Sequence, residues 1–391
     1  MGRAVVDDIV TAVERVVGVA RPVALHEPTF GGNEWNYVKD CIDSGWVSSA
    51  GDYVPRFERA LCDFTGAPFA VAVVNGTAAL QVALRVAGAS AGDEVLVPTL
   101  TFIATANAVS YCGATPHFVD SEEGTLGVNP DALAAHLAEI AEVRNGACFN
   151  RRTGARIKAL VPMHTFGHPV RIDELMEICE RYSIMLVEDA AESLGTTLNG
   201  KHAGTFGEIA CLSFNGNKIV TTGGGGAILT SNPELAKHLR HLVTTARVKH
   251  AWSFVHDEIG YNYRLPNINA ALGCAQLEEL PQFVERKRRI ASRYFAAFEH
   301  VKGARVMREP PGARSNYWLN CVLLDPENAG SRDEVLAATN ERGIMTRPVW
   351  TLMHRLPMYS SAPRADLSTA EDIERRLVNV PSSAALERAY D

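Results

Sequence analysis

A lysine that is to act as a nucleophile needs permissive backbone beside it and water kept away from it. Ser213-Phe214-Asn215-Gly216-Asn217-Lys218-Ile219 leads through Val220, Thr221 and Thr222 into Gly223, Gly224, Gly225 and Gly226, and then into the apolar Ala227-Ile228-Leu229. Glycines in a row let backbone approach another group closely, because no Cβ intervenes. A lysine there can be desolvated and its amine made nucleophilic. Taken alone, the stretch reads more readily as a surface lysine beside a glycine-rich hairpin. It is not a G-x-x-x-x-G-K-[ST] phosphate loop, because the lysine precedes the glycines.

Other residues with chemistry to offer follow short apolar runs. Asn75-Gly76-Thr77-Ala78-Ala79-Leu80 reads as a tight turn into a helix whose first amides and dipole favour an anion, or equally as an ordinary capped helix start. Thr101-Phe102 places an aromatic ring where a planar ligand could stack, although core packing explains most single phenylalanines. Glu188 and Asp189 close the apolar run 184–187, and two acids at the end of a buried run need partners. An anion cradle, a stacking ring, a buried aspartate and a lysine are together the parts that hold pyridoxal phosphate: the lysine forms an imine with its aldehyde, and the aspartate keeps its pyridine nitrogen protonated.

The elements that must position these groups are legible as a pattern. Apolar runs at 69–74, 94–97, 115–119, 157–161, 184–187 and 209–212 alternate with helical segments near 77–88, 102–112, 130–142 and 171–182. Continuous rather than alternating apolarity suits strands buried on both faces, and βα alternation implies a mostly parallel sheet with ligands beyond its carboxyl edge. Residues 144–156 carry two turn signals and read as an inserted surface hairpin. Before this region, a valine-rich amphipathic helix over 4–17 must cover either its own subunit or a neighbour, and helices are expected over 33–44 and 53–65. After it, helical pattern runs over 268–301, with Pro281 expected to start a second helix. Strands at 317–323 and 344–349 and helices at 331–341 and 369–376 then suggest a smaller α+β domain. The expected divisions are an N-terminal helix and arm at 1–32, a large α/β domain at 33–280, and a connecting helix with the small domain at 281–391.

Composition narrows the class. A chain of 391 residues, 47% hydrophobic and 21% charged, suits a globular protein of two domains. A net charge of -7 and the lack of a long basic run argue against nucleic acid as a partner. The eight cysteines are scattered without a C-x-x-C, as expected of core residues in a reducing, cytoplasmic compartment. His164 and His168 have i,i+4 spacing, but Gly167 and Pro169 oppose a regular helix, so no metal is expected. No run reaches membrane-spanning length and no signal-peptide core is present, so no membrane association is expected.

Five segments carry a resemblance that covers nearly the whole chain: Gly76-Thr77-Ala78-Ala79-Leu80, Thr101-Phe102-Ile103-Ala104-Thr105, Glu188-Asp189-Ala190-Ala191-Glu192-Ser193, Ser213 to Lys218, and Gly260-Tyr261-Asn262-Tyr263-Arg264. In order and spacing the chain resembles the nucleotide-sugar aminotransferases of the DegT/DnrJ type. The resemblance implies an α/β, fold-type I architecture, with a mostly parallel seven-stranded sheet between helices and a smaller α+β C-terminal domain. It implies pyridoxal 5'-phosphate as cofactor, with pyridoxamine phosphate as its intermediate form, and Lys218 as the Schiff-base lysine. Asp189 would pair with the pyridine nitrogen and Phe102 would stack on the ring. Gly76, Thr77, Ala78 and Ser213 would hold the phosphate, Glu192 would lie near the phenolic oxygen, and Asn262 would reach the phosphate from a dimer partner. Many relatives carry Gln where Glu192 stands, and many carry Glu in the glycine run where this chain has Gly224.

His26-Glu27-Pro28, Val161 to His168, Ser315 to Asn320 and Met345 to Trp350 resemble the legionaminic-acid and bacillosamine branch. That resemblance implies transfer of an amino group from L-glutamate, released as 2-oxoglutarate, to C4 of UDP-4-keto-6-deoxy-N-acetylglucosamine. It also implies substrate contacts from Trp46, Ser48, His164, Arg264, Tyr317 and Arg347, with Arg264 facing a donor carboxylate, and a homodimer with shared sites. A GDP-linked 4-keto-6-deoxymannose aminotransferase of the perosamine type and a non-catalytic nucleotide-sugar-binding regulator are the alternatives. Related sugar dehydratases carry His in place of the lysine, so Lys218 counts against that reading. A Rossmann oxidoreductase is disfavoured because the glycine run lacks a strand-to-helix setting with a downstream acid.

Overall fold

Each of the six continuous apolar runs forms a strand, and together they make the sheet that carries the site. In the computed structural model, which describes residues 2–18 and 21–390, the strands are Phe69–Val73, Asp93–Pro98, Thr115–Val119, Arg156–Leu160, Met185–Asp189 and Ile209–Ser213. Gly226–Thr230 is a seventh, inserted between Phe69–Val73 and Ile209–Ser213 and antiparallel to both. The remaining pairings along this path are parallel. The core of this seventh strand is the apolar Ala227-Ile228-Leu229 that follows the glycine run. Residues 1, 19, 20 and 391 of the expected terminal segments lie outside the described residues.

The hairpin insertion is Ala141–Arg144 and Ala147–Asn150, whose second strand joins Arg156–Leu160 and brings the sheet to nine strands. Its turn residues Asn145 and Gly146 have φ of 52° and 72°, the paired left-handed conformations that a two-residue hairpin turn of matching twist requires. Apolar clusters bury both faces of the sheet, one built on Phe57, Phe214 and Leu280, the other on Leu80, Val97 and Phe118. This explains why the strands read as uninterrupted hydrophobic runs.

One continuous helix, Asn267–Ala297, follows, with Pro281 inside it. The expected helix start at Pro281 is therefore corrected, and the expected division at 280/281 lies within this helix. An interior proline costs roughly 3 kcal/mol of helix propensity. The buried stripe of Leu277, Leu280, Val284, Ile290 and Tyr294 runs unbroken past it and outweighs that cost. A four-stranded antiparallel sheet of Ala304–Val306, Asn320–Leu324, Leu377–Val380 and Arg347–Pro348 completes the chain with helices Arg332–Glu341 and Ser368–Arg376. The N-terminal helix Gly2–Val17 buries its valines against Ile290, Tyr294, Val322 and Val335 of its own chain. Its apolar stripe thus covers its own subunit rather than a neighbour. Among the described residues, no helix is long and apolar enough to cross a membrane.

Candidate active site

The carboxyl edge of the sheet gathers the groups that the sequence singles out. Successive residues of a strand point to opposite faces, so Glu188 and Asp189 part company. Glu188 turns inward, accepting from His164 Nε2 at 2.9 Å and from the amides of Gly204, Phe206 and Gly207 at 2.7–2.8 Å. Burial alone would raise its carboxyl, but these hydrogen bonds outweigh burial and hold it below the usual range. Asp189 lines a cavity of about 320 Å³ instead. Its Oδ2 accepts from Thr105 Oγ1 at 2.7 Å and its Oδ1 from the Ala191 amide at 3.2 Å. Burial raises this carboxyl, with Thr105, the Ala191 amide and Lys218 pulling the other way. Among the described residues it makes no ion pair.

Another wall of the cavity is a helix N-terminus. Helix Gly76–Val86 is capped by Asn75, whose Oδ1 accepts from the Ala78 amide at 2.8 Å. Gly76 and Thr77 line the cavity, at the turn where a helix's own ladder leaves amides open. A Cβ on Gly76 would come within 2.9 Å of Ser213 Cβ, and one on Gly226 within 2.6 Å of the Asn75 carbonyl. The last glycine of the run is therefore what lets its strand pass beneath this helix start and brings Ser213 beside it.

Lys218 enters from a turn closed by its own amide on the Asn215 carbonyl at 2.9 Å. Its Nζ donates to Glu192 Oε1 at 3.1 Å and lies 4.0 Å from the centroid of the Trp318 ring. Phe102, 48% exposed, presents its ring at the mouth, edge-on to Trp350 at 6.1 Å between centroids. A helix start with a serine and two tight glycines, an unpaired buried carboxyl, a primary amine and an open aromatic face fit pyridoxal phosphate group by group. Two larger hollows, one beside Lys158 and Asp173, the other beside Gly66 and His202, gather no such set.

Several expected positions fall elsewhere. Ala78 is buried behind the helix start, its amide taken by Asn75. His164 and Tyr317, expected at the substrate, are internal: His164 is fully buried on Glu188, and the Tyr317 hydroxyl accepts from the Glu309 amide at 3.1 Å. Arg347 is exposed and bonded to the Thr346 carbonyl and Asn340, while Trp46 is exposed and Ser48 gives its carbonyl to the Asn267 amide. None of these lines the cavity. Asn262 and Arg264 line a different hollow, with Ser49, Arg247, Lys249 and His250. Asn75, Asn217, Trp318 and Trp350 line the cavity without having been assigned there. Asn75 carries a local signal, a capping residue three positions before the amide it accepts. The two tryptophans carry none, since only tertiary folding brings them in. Among the described residues, no group of three or more His, Cys, Asp or Glu could hold a metal ion.

Known proteins resemble this chain in sequence and in fold. The chain is 38% identical over 368 residues to EpsN of Bacillus subtilis (strain 168), named as a pyridoxal phosphate-dependent aminotransferase, covering 93% of this chain and 92% of that one. It is 36% identical over 364 residues to GDP-perosamine synthase of Escherichia coli O157:H7, covering 93% and 94%. The crystal structure of the aminotransferase TlmJ from Streptoalloteichus hindustanus superposes with a TM-score of 0.82 at 29% identity, covering 92% of this chain and 93% of that one. The architecture is that of fold-type I pyridoxal-phosphate enzymes, and the cofactor is pyridoxal phosphate. Residues 28–390 match the family pattern, and the chain belongs to the DegT/DnrJ/EryC1/StrS aminotransferase family.

Proposed function

We propose that this enzyme moves an amino group from L-glutamate to C4 of a nucleotide-linked 4-keto-6-deoxy sugar. The observation that carries the reading is the meeting of Lys218, Asp189 and the Gly76-Thr77 helix start in one cavity. When bound, pyridoxal phosphate supplies an aldehyde that accepts the amino group and a ring that takes up electrons. Lys218 would be the covalent tether, and its amine is placed to serve as the base for the donor's Cα proton. Asp189, oriented by Thr105, would hold a proton on the pyridine nitrogen. Ser213 and the amides of Gly76 and Thr77 would hold the phosphate, and Phe102 would cover the ring.

The same reading assigns Asn262 and Arg264 to the active site of a second copy. They sit outside their own chain's cavity, in a hollow of about 490 Å³ with Arg247, Lys249 and His250, a cationic surface suited to phosphate. The adjoining hairpin Arg247–Val248 and Val255–His256 and the segment after it leave Trp252 81% and Ile259 84% exposed. Large apolar side chains at that exposure suit an interface. Eight cysteines, none of them in a disulfide, suit a cytoplasmic enzyme.

Two substrates compete. UDP-4-keto-6-deoxy-N-acetylglucosamine is supported by the resemblance carried by His26-Glu27-Pro28 and Met345 to Trp350, and a GDP-linked 4-ketosugar by the name of the E. coli relative. Incubation with each UDP- and GDP-linked 4-ketosugar and L-glutamate, read by product mass, separates them. A product in which the ketone oxygen is replaced by an amino group is expected from one of them. No aminated product from any 4-ketosugar would remove the sugar reading.

A further inference from the structure

Lys218 is held on two sides by groups that a covalent tether alone does not require. Glu192, 2% exposed, accepts from Lys218 Nζ on Oε1 at 3.1 Å and from the Phe166 amide on Oε2 at 2.9 Å. The Trp318 ring face lies against the same nitrogen, and its indole N–H donates to the Asn217 carbonyl at 2.8 Å. Asn316 ties the two walls together. Its Nδ2 donates to the carbonyls of Glu192 and Leu194 at 2.9 Å, and its Oδ1 accepts from the Trp318 amide at 2.8 Å.

We propose that Glu192 is the proton partner of Lys218, a further catalytic group rather than a passive contact. The Lys218 ammonium gives a proton along the hydrogen bond to Glu192 Oε1. An Nζ–H bond breaks, an Oε1–H bond forms, and a neutral amine beside a neutral carboxylic acid replaces the ion pair. The return of the proton restores the pair, so the exchange is balanced without water or a further reactant. Desolvation favours it, because a buried ion pair costs more to keep from water than its neutral counterpart. An amide at position 192 could make a hydrogen bond there but could not take the proton. The Trp318 face attracts the ammonium, which keeps the nitrogen in place while its charge comes and goes.

The other titratable groups facing the pair do not replace Glu192. Asp189 faces it from the adjoining strand, but Asp189 Oδ2 already holds Thr105 and its Oδ1 the Ala191 amide. His26, from the N-terminal arm, is kept neutral by burial and by Lys287 and Lys218. His164 lies behind Asp189 on Glu188. Cys321 faces Glu192 as a thiol that burial pushes well up. Burial raises the Glu192 carboxyl to about 7 even against the pull of Lys218, so it can exchange a proton near neutrality.

The inference rests on Lys218 carrying the cofactor, and its test separates the two. Full-length protein freed of cofactor is mixed with pyridoxal phosphate across about pH 5.5 to 9, and covalent attachment is followed by near-visible absorbance. Wild type is expected to show an inflection near neutrality in the attachment rate, Glu192→Gln to lose it, and Glu192→Asp to keep a displaced one. The same inflection in Glu192→Gln would overturn the proposal. Infrared titration of the protein without cofactor is the second readout. A buried carboxylic acid band should grow as pH falls through neutrality, vanish in Glu192→Gln, and persist to higher pH in Lys218→Met, where the opposing charge is gone. A band unmoved by Lys218→Met would also overturn it. If wild type forms no covalent adduct at any pH, the cofactor assignment of Lys218 fails, while the infrared result still decides the pairing.

Discussion

Thr105 donates a 2.7 Å hydrogen bond to Asp189 Oδ2 and so joins the first turn of helix Ile103–Tyr111 to the end of strand Met185–Asp189. Both residues are buried, so the bond fixes one carboxylate oxygen and leaves the aspartate a single preferred direction into the cavity. Thr105→Val keeps the shape and removes the donor. About 1–3 kcal/mol is expected to be lost where a buried acceptor is left unsatisfied. Turnover should fall by roughly tenfold to a hundredfold, the equivalent of that energy in the barrier. Stopped-flow rates of the glutamate half-reaction measure it, and unchanged rates would make the bond incidental.

Asp189→Asn removes the charge itself. Cofactor should still be retained through Lys218 and the phosphate contacts, but turnover should drop steeply, a barrier increase of several kcal/mol being of the order expected when a buried charge partner is removed. Absorbance reports retention and single-turnover kinetics report the rate. Wild-type rates in this variant would assign Asp189 a structural role only.

The proposed phosphate cradle depends on backbone proximity at Gly226, where an added Cβ would meet the Asn75 carbonyl at 2.6 Å. The listener on the other side of that contact is backbone, which cannot step aside as a flexible side chain would. Gly226→Ala should therefore push the helix start out of place, at a stability cost of about 1–3 kcal/mol, typical of overpacking. Cofactor affinity should weaken at least about tenfold, or 1.4 kcal/mol. Gly224→Ala, with nothing nearer than 3.9 Å to its Cβ, serves as the control and should bind cofactor normally.

Glu192 gives stability a pH dependence of definite sign. Burial raises its carboxyl to about 7, above its value in the unfolded chain. Its contribution is therefore fully present below the unfolded value, about 4.3, and is lost as pH rises through about 7. Glu192→Gln has no such loss. The stability of the variant relative to wild type should rise by about 3 kcal/mol between pH 4.5 and pH 8, measured without cofactor by denaturant titration. A difference that stays flat, or falls, across that window would mean the carboxyl is not raised.

Legibility in the sequence followed the range of the interactions. The six strand runs were readable because burial on both faces makes them continuously apolar, and the site groups at their ends followed from that. Helix Pro233–Val243 was missed, although Asn232 before Pro233 and Glu234 is a strong start signal that the structure uses as an N-cap. Glu188 and Asp189 could not be told apart as chemistry and clamp, because the amides that hold Glu188 come from residues 204–207. His164 and Tyr317 looked like substrate contacts from their motifs, yet their partners, Glu188 and the Glu309 amide, make them internal supports. Trp318 became a wall of the cavity through Asn316, whose bonds reach back across the chain to Glu192 and Leu194, and through its own indole bond to the Asn217 carbonyl.

The tether and the proposed shared site can be tested together. Lys218→Ala should fold but lose the borohydride-reducible attachment, with amination reduced by at least about a thousandfold, or some 4 kcal/mol in the barrier. Asn262→Ala should keep the attachment and bind phosphate less well. Asn262 is bridged to Thr244 and opens on the hollow of Arg247 and Lys249, whereas Lys218 opens on the cavity with Asp189. If the first hollow serves a second copy, each homodimer is defective at both of its sites. A mixed dimer of the two variants instead has one site with intact Lys218 and the other chain's intact Asn262, while its second site carries both defects. Subunit exchange under mild denaturation should therefore raise activity above both parents, towards a quarter of wild type if the chains mix at random. Mass-confirmed mixed dimers with no gain would place Asn262 with its own chain's cofactor. They would also leave the exposed Trp252 and Ile259 to be explained by another partner.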